Sequence, residues 1–178
     1  MIRKRRKLSL TNYKKRVAML KSGLPRLVVR KSGRSITLQI IRYEPDGDIV
    51  VMSANSRMLK QFGWEPRSNI PTAYLTGLLL ARKSSNLNIS EIILDIGLYR
   101  PIKGSVIFAA AKGAQDGGLK LKGSFEADSK RISGMHIAEY AKALDGERLK
   151  KQFAYEKTDP KRIDEAFKEV KEKIMVIN

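Results

Sequence analysis

The chain of 178 residues contains no cysteine and a single histidine, His136. The absence of cysteine excludes a disulfide framework and a thiolate metal site, and it is typical of proteins in a reducing compartment. A zinc site cannot be assembled from one histidine. A Ser-His-Asp catalytic arrangement would depend on His136, which stands beside Ile137 in a predicted helix. We interpret this histidine as a structural or surface residue.

Long apolar runs are also missing. The longest, Val106 to Ala111, is far too short to span a bilayer, and the basic N-terminus is not followed by the apolar segment of a secretory signal. We therefore predict a cytoplasmic protein with no membrane partner. No glycine motif for dinucleotide binding occurs either, so we predict no cofactor.

Negative charge is absent from the N-terminal quarter. No acidic residue precedes Glu44, whereas the first 43 residues contain fourteen of the 36 lysines and arginines. The remaining 22 basic and 18 acidic residues give the rest of the chain only +4 of the formal net charge of +18. A field of one sign at this density suits a polyanion, with nucleic acid as the first candidate and an anionic membrane as the second.

Hydrophobic patterning after the basic tail predicts a short helix and then three strands. Thr11 or Asn12 is a suitable cap for the helix, which ends at Gly23. Three β-rich segments joined by short turns then predict an antiparallel meander. These segments are residues 27–31, 35–40 and 49–53.

The next part of the chain alternates helix, strand and helix. Pro71 begins a largely apolar helix that runs to about residue 83, Glu91–Asp95 is a short strand, and Ser105 begins an Ala-rich helix that ends at Gly117-Gly118. A strand followed by helix, strand and helix implies a parallel crossover. The predicted fold class is therefore α/β (α+β): a mixed sheet with helices against one face, in a ribonuclease-H-like layout.

The last sixty residues have a different character. We predict a strand at 119–125, an exposed loop at 126–132, a helix capped by Ser133 and a final helix that begins at Asp159-Pro160. We interpret this part as an extension that docks on the body. The predicted division is a basic arm and short helix over 1–23, a mixed α/β RNA-binding core over 24–120, and a mainly helical C-terminal extension over 121–178.

An enzymatic interpretation of this layout is a metal-dependent nuclease, because ribonuclease-H-like enzymes hold two metal ions with clustered carboxylates. The first strand segment, Pro25 to Lys31, contains no acid, and Asp95 has no obvious partner. A lone carboxylate beside Gly97 is more typical of a loop or helix cap. We therefore predict no catalytic residue and no metal ligand, and we keep the nuclease as the alternative.

Clustered lysines and arginines are the candidate RNA contacts, because they replace the counterions condensed on a nucleic acid. The period of two places Arg26 and Arg30 on one face of the first strand. Ser35, Thr37 and Gln39 form a polar face on the next strand. A polar, cationic sheet face suits phosphates, 2′-hydroxyls and unpaired bases.

Aromatic residues and one loop extend this candidate surface. Tyr13 either packs its helix on the body or stacks on a base, whereas Trp64 is more typical of a hydrophobic plug. The Tyr99–Ser105 loop combines an aromatic side chain, two cations and a helix N-terminus that can hold a phosphate, although a loop and a cap also explain it without a ligand. A membrane-bound helix ranks last, because its Tyr13-Val17-Leu20 stripe is narrow. The predicted RNA-binding residues are Arg3, Lys4, Arg5, Arg6, Lys7, Tyr13, Lys14, Lys15, Arg16, Lys21, Arg26, Arg30, Lys31, Arg34, Thr37, Gln39, Arg100 and Lys103.

Several ordered motifs resemble a known family. They are Tyr13-Lys14-Lys15-Arg16, the segment 22–32, Gln39-Ile40-Ile41, the segment 73–77, Asp95-Ile96-Gly97, and the segments 103–110 and 112–119. They follow one another as in the 5S-rRNA-binding protein family of the large ribosomal subunit, the family of protein eighteen of that subunit. The resemblance covers roughly residues 10–120, and the extra C-terminal stretch is similar to the longer archaeal branch, which is related to the eukaryotic counterpart.

The resemblance implies a structural protein of the ribosome without catalytic activity. Such a protein binds 5S rRNA, helps attach it to the 23S rRNA in the central protuberance, and meets neighbouring large-subunit proteins. The basic arm, the Tyr13 helix, the Pro25–Ser32 strand, the polar strand face and the Tyr99–Ser105 loop are then the implied RNA contacts. The implied location is the cytoplasmic ribosome.

Overall fold

The computed structural model describes residues 8, 11–87, 89, 91–144, 146–154 and 159–177. The predicted tail contacts Arg3 to Lys7 lie outside the described residues. Helix α1 (Tyr13–Leu20) begins at the cap Asn12, whose side chain accepts a hydrogen bond from the Lys15 N–H at 3.0 Å. The helix is three residues shorter at its end than predicted, because the chain turns before the left-handed Gly23.

Four strands form one mixed sheet. They are β1 (Arg26–Lys31), β2 (Ile36–Arg42), β3 (Ile49–Asn55) and β4 (Ile93–Asp95). Their spatial order is β3-β2-β1-β4, with β1 antiparallel to β2, β2 antiparallel to β3, and β1 parallel to β4. The predicted meander and parallel crossover are confirmed.

The predicted strand at 119–125 is wrong. Only Leu121 pairs, in an isolated parallel bridge with Ile92. Gly118 and Gly123 both have positive φ, and these two turns leave too little extended chain between them for a longer strand. The short bridge still buries the Leu121 side chain against the core.

Helices α2 (Ile70–Lys83) and α3 (Val106–Asp116) cover one face of the sheet. A Cβ atom built on Gly77 would stand 2.0 Å from the Ala110 carbonyl oxygen, and one on Gly113 would stand 2.1 Å from the Tyr74 carbonyl oxygen. Glycine at these two positions lets the two helix backbones touch. The α2–α3 contact therefore positions β4, which lies between these helices in the chain.

The opposite side of α2 packs against a second core. Helix α7 (Ile163–Met175) and a 3-10 helix (Ser56–Phe62) cover it. Trp64 is buried there, with its ring centroid 6.2 Å from that of Phe167, and its Nε1 donates to Thr72 Oγ1 at 2.9 Å. This confirms Trp64 as a hydrophobic plug. Burial, together with a hydrogen bond donated to Asp116 and that residue's charge, raises the pKa of Tyr74.

The remaining C-terminal elements are short helices. They are α4 (Ser129–Ser133), α5 (Met135–Ala143), α6 (Gly146–Gln152) and a 3-10 turn (Pro160–Arg162) that leads into α7. The Asp159 cap signal is confirmed, since its side chain accepts from the Lys161 N–H. Ser133 is not a cap but the last residue of α4. Asp128 caps this helix, which occupies most of the segment 126–132 that was predicted as an exposed loop. None of the helices in the described part of the chain is long and apolar enough to cross a membrane.

Candidate nucleic-acid interface

The sheet face opposite the helices carries Thr37 and Gln39 of the polar residues predicted for it, whereas Ser35 lies in the turn before β2. The register sets Arg30 beside Thr37 and Thr37 beside Asn55. Thr37 and Gln39 are half-buried, and the Asn55 amide donates to Thr37 Oγ1 at 2.8 Å. This face is therefore hydrogen-bonding in character across β1, β2 and β3.

Arg26 does not lie on an open face, and that expectation is wrong. Its side chain is 2% exposed. One guanidinium nitrogen donates to Asp95 Oδ2 at 3.0 Å and the other donates to Asp48 Oδ2 at 2.8 Å. The reason is tertiary: the β2–β3 turn brings Asp48 over the sheet and β4 brings Asp95 alongside β1. Arg26 thus organises two carboxylates beneath the surface.

Asp48 also holds α1. The Arg16 guanidinium donates to the same Asp48 oxygen at 2.8 Å. Burial by itself would raise the pKa of Asp48, but the hydrogen bonds from Arg16 and Arg26 and their charges outweigh it and hold this pKa below its ordinary value. The carboxylate therefore stays ionised between two arginines.

The apolar stripe of α1 does not pack into the body. No residue of this helix is buried, and Val17 is 51% exposed. The stripe of Tyr13, Val17 and Leu20 therefore gives the helix no buried anchor, although Tyr13 and Leu20 are half-buried. The described contacts attach α1 by the Arg16–Asp48 ion pair instead.

Arg30 is fixed differently from Arg26. Its Nη1 donates to the carbonyl oxygens of Val29 at 2.8 Å and Asp95 at 3.1 Å, and its Nη2 donates to Asp95 Oδ1 at 3.4 Å. The same Asp95 oxygen accepts the Gly97 N–H at 2.8 Å. Asp95 is thus the predicted loop cap, but it also has two arginine partners that its sequence neighbourhood does not reveal.

A groove of about 620 Å³ opens between α1, the end of β4 and the loop after β4. Tyr13 and Lys15 lie on its α1 side, Leu98 and Tyr99 on its loop side, and Arg30 lies between them. The Tyr99 hydroxyl donates to the Lys31 carbonyl oxygen at 2.7 Å, which ties the loop to the end of β1.

Exposed cations occur on and just after α1, at the end of β1 and in the turn after it, and in the loop after β4, and one of them, Lys15, lines the groove. Six of the predicted contacts are exposed and form no ion pair within the described part of the chain: Lys14, Lys15, Lys21, Lys31, Arg34 and Arg100. Lys103 differs, because it pairs with Glu126 at 3.2 Å. Since both of those side chains are highly exposed, their pairing is weak and easily exchanged for another anion.

The residues that sequence reasoning missed are acidic or apolar. Asp48 follows a Pro-Asp-Gly turn and reads only as part of that turn, although it joins α1 to the sheet. Leu98 reads as an ordinary loop residue, although it is exposed beside the groove. Among the described residues, no group of three or more carboxylate, histidine or cysteine side chains comes together.

A groove lined by two tyrosines, Lys15 and Arg30, together with an excess of exposed cations in the N-terminal part of the chain, is typical of a nucleic-acid-binding protein. A sequence profile described as "Ribosomal large subunit proteins 60S L5, and 50S L18" matches residues 1–92, which include α1, β1 to β3 and α2. The protein named large ribosomal subunit protein uL18 from Thermofilum pendens (strain DSM 2475 / Hrk 5) is 45% identical over 181 residues, covering 96% of this chain and 92% of that protein. The chain therefore belongs to the family of large-subunit ribosomal proteins that this profile describes.

Membership of this family confirms the predicted resemblance and the ribosomal location. The protein is a structural constituent of the large ribosomal subunit and not an enzyme, and its partners are ribosomal RNA and other ribosomal proteins. The nuclease alternative has no support, because arginines occupy the positions around Asp95 where metal ligands would be needed.

Proposed function

We propose that this protein binds 5S rRNA and helps attach it to the 23S rRNA in the central protuberance, in contact with neighbouring large-subunit proteins. The RNA-binding part is carried by the six exposed cations that form no ion pair within the described part of the chain, together with a groove lined by Lys15, Arg30 and two tyrosines. The family resemblance supports the choice of 5S rRNA as the RNA.

The proposed contacts are divided among three parts of the chain. Helix α1 and the turn after β1 supply Lys14, Lys15, Lys21 and Arg34, and the basic tail adds its five cations. The body over residues 24–120 supplies the groove and the polar strand face. Residues 121–178 serve as a mainly helical extension that holds α2 from the other side and meets protein neighbours.

The proposal predicts a steep dependence of 5S rRNA affinity on salt. Six or more phosphate contacts cost roughly a thousandfold in affinity between about 50 and 200 mM salt, because counterion release then contributes less. We expect a double change, Lys14→Gln with Lys15→Gln, to lower the affinity about tenfold and to reduce the salt slope by about two. Filter binding or fluorescence anisotropy with 5S rRNA measures both quantities.

The matched control removes the same charge elsewhere. Lys168→Gln with Lys173→Gln alters exposed positions of α7, on the far side of α2 from the sheet. This control should leave the affinity and the salt slope close to those of the unmodified chain. Equal losses in the two double variants, or a flat salt response, would refute the proposed surface.

A further inference from the structure

The Arg30 guanidinium is held as a flat plate by three hydrogen bonds, which end on the Val29 carbonyl, the Asp95 carbonyl and the Asp95 carboxylate. Gly97 lies close to this plate: a Cβ atom built on Gly97 would stand 3.2 Å from Cζ and from both terminal nitrogens. Glycine at this position therefore leaves room for the guanidinium.

Arg30 lines the groove. Its side chain is 45% exposed although its guanidinium is hydrogen-bonded to β4 and to its own strand, so part of the side chain remains open to a ligand. An arginine side chain usually changes its conformation freely at a surface, and fixing one costs conformational entropy. Here that cost is met within the folded chain, and the plate is available without further ordering.

Electrostatics decide which part of a nucleotide suits this position. Asp48 and Asp95 both border the groove, and both are ion-pair partners of arginines. A phosphate on the groove floor would meet these two carboxylates, whereas the uncharged flat surface of a base would not. Guanidinium planes and tyrosine rings are the surfaces on which proteins stack unpaired bases.

The dimensions of the groove are consistent with one base. Its volume of about 620 Å³ lies within the range of small-ligand sites in proteins, about 300–1,000 Å³. Tyr13 of α1 and Tyr99 of the loop after β4 both line it, as does Lys15, which is available for the attached phosphate. A duplex does not enter a groove of this size, so the base must come from an unpaired or bulged nucleotide.

We propose that this groove takes one unpaired RNA base, stacked on the planar Arg30 guanidinium and flanked by Tyr13 and Tyr99. The inference rests on the proposed RNA-binding function and adds the class of nucleotide that the groove accepts. Surface cations contribute affinity for any RNA, whereas this stacked base makes binding depend on an unpaired nucleotide at one position.

The test replaces the planar guanidinium of Arg30 by an ammonium group and keeps the positive charge. Arg30→Lys preserves the formal charge but removes the flat stacking surface, so the affinity for 5S rRNA should fall about tenfold while its salt slope stays unchanged. Arg131→Lys makes the same chemical change at an exposed residue of α4, outside the proposed RNA contacts, and should leave the affinity within about twofold. Affinity of Arg30→Lys equal to that of the unmodified chain would overturn the inference.

A second variant covers the case in which Arg30→Lys disturbs the fold. Tyr13→Leu removes an aromatic ring from the groove without touching the hydrogen bonds of Arg30, and we expect at least a threefold loss of affinity. Ultraviolet crosslinking of the full complex should join an unpaired nucleotide to the peptide that contains Tyr13 or Tyr99. Unchanged affinity of Tyr13→Leu, or crosslinks only to other peptides, would reject the base site. If the Lys14/Lys15 double variant nevertheless binds 5S rRNA more weakly than the unmodified chain, the proposed RNA-binding function would stand without the base site.

Discussion

Replacing Asp48 by asparagine tests whether an acidic residue supports a cationic surface. Electrostatics alone predict that loss of this negative charge raises the affinity for RNA, since the net charge grows by one. The structure predicts the reverse. Asp48 accepts hydrogen bonds from Arg16 and Arg26 at 2.8 Å each, and the Arg16 bond attaches a helix that has no buried residue.

The cost to stability follows from these two bonds. A hydrogen bond to a charged group contributes about 1.5–3 kcal/mol, but the Arg16 and Asp48 side chains are 34% and 23% exposed, so solvent screens that pair. Arg26 keeps Asp95 as a partner. We therefore expect Asp48→Asn to lower the free energy of unfolding by about 2 kcal/mol, or the melting temperature by about 4–8 °C.

RNA affinity should fall with the loss of helix attachment. A free α1 must be ordered again on binding, and we expect a loss of about tenfold, equivalent to about 1.4 kcal/mol. Asp46→Asn is the control, because this substitution removes the same charge from the same turn. Asp46 has no ion pair within the described residues. Calorimetry and anisotropy with 5S rRNA measure both effects, and identical results for the two variants would refute the reasoning.

The two variants should also differ in their dependence on pH. Because the pKa of folded Asp48 is lowered, its ionised form stabilises the folded chain fully above its ordinary value of 3.8. That contribution is lost as the pH falls through the lower, folded-state pKa. The stability gap between Asp48→Asn and the unmodified chain should therefore be full at neutral pH and shrink below about pH 4.

Two further predictions concern the core. Gly113→Ala places a methyl group against the α2 backbone and should destabilise the fold by about 1–3 kcal/mol, whereas Gly33→Ala, with open space around it, should be near neutral in thermal unfolding. Phe167→Ala removes a buried ring that contacts Trp64. It should lower the free energy of unfolding by about 3–5 kcal/mol and shift the Trp64 fluorescence to the red. The control, Val176→Ala at an exposed position, should change neither quantity.

Much of the fold could be predicted because its signals are local. The alternation of Ile36, Leu38 and Ile40 marks a strand with one buried face, and the structure buries all three. Ser105 and Asp159 cap helical segments at the predicted places. The prediction failed at 119–125 and at Ser133, where glycines with positive φ set the course of the chain.

For the candidate site, the sequence predicts the sign of the charge but does not show which of the charged side chains are exposed. Counting residues locates the excess positive charge at the N-terminal end, and that count needs no structure. It does not separate Arg26, which is buried between carboxylates, from Arg34, which is exposed. Partners separated by 22 and 69 residues make that distinction, and strand register brings them together.

The sequence by itself determined that this protein binds a polyanion, that it has a mixed α/β body and that it belongs to a ribosomal family, because charge, periodicity and ordered motifs are properties of the chain. Only the tertiary structure decided which cations face solvent, that α1 attaches through Asp48, and that Arg30 lies in a groove, hydrogen-bonded and partly exposed. Those properties depend on contacts between distant segments, whose distances and burial exist only after the chain has folded.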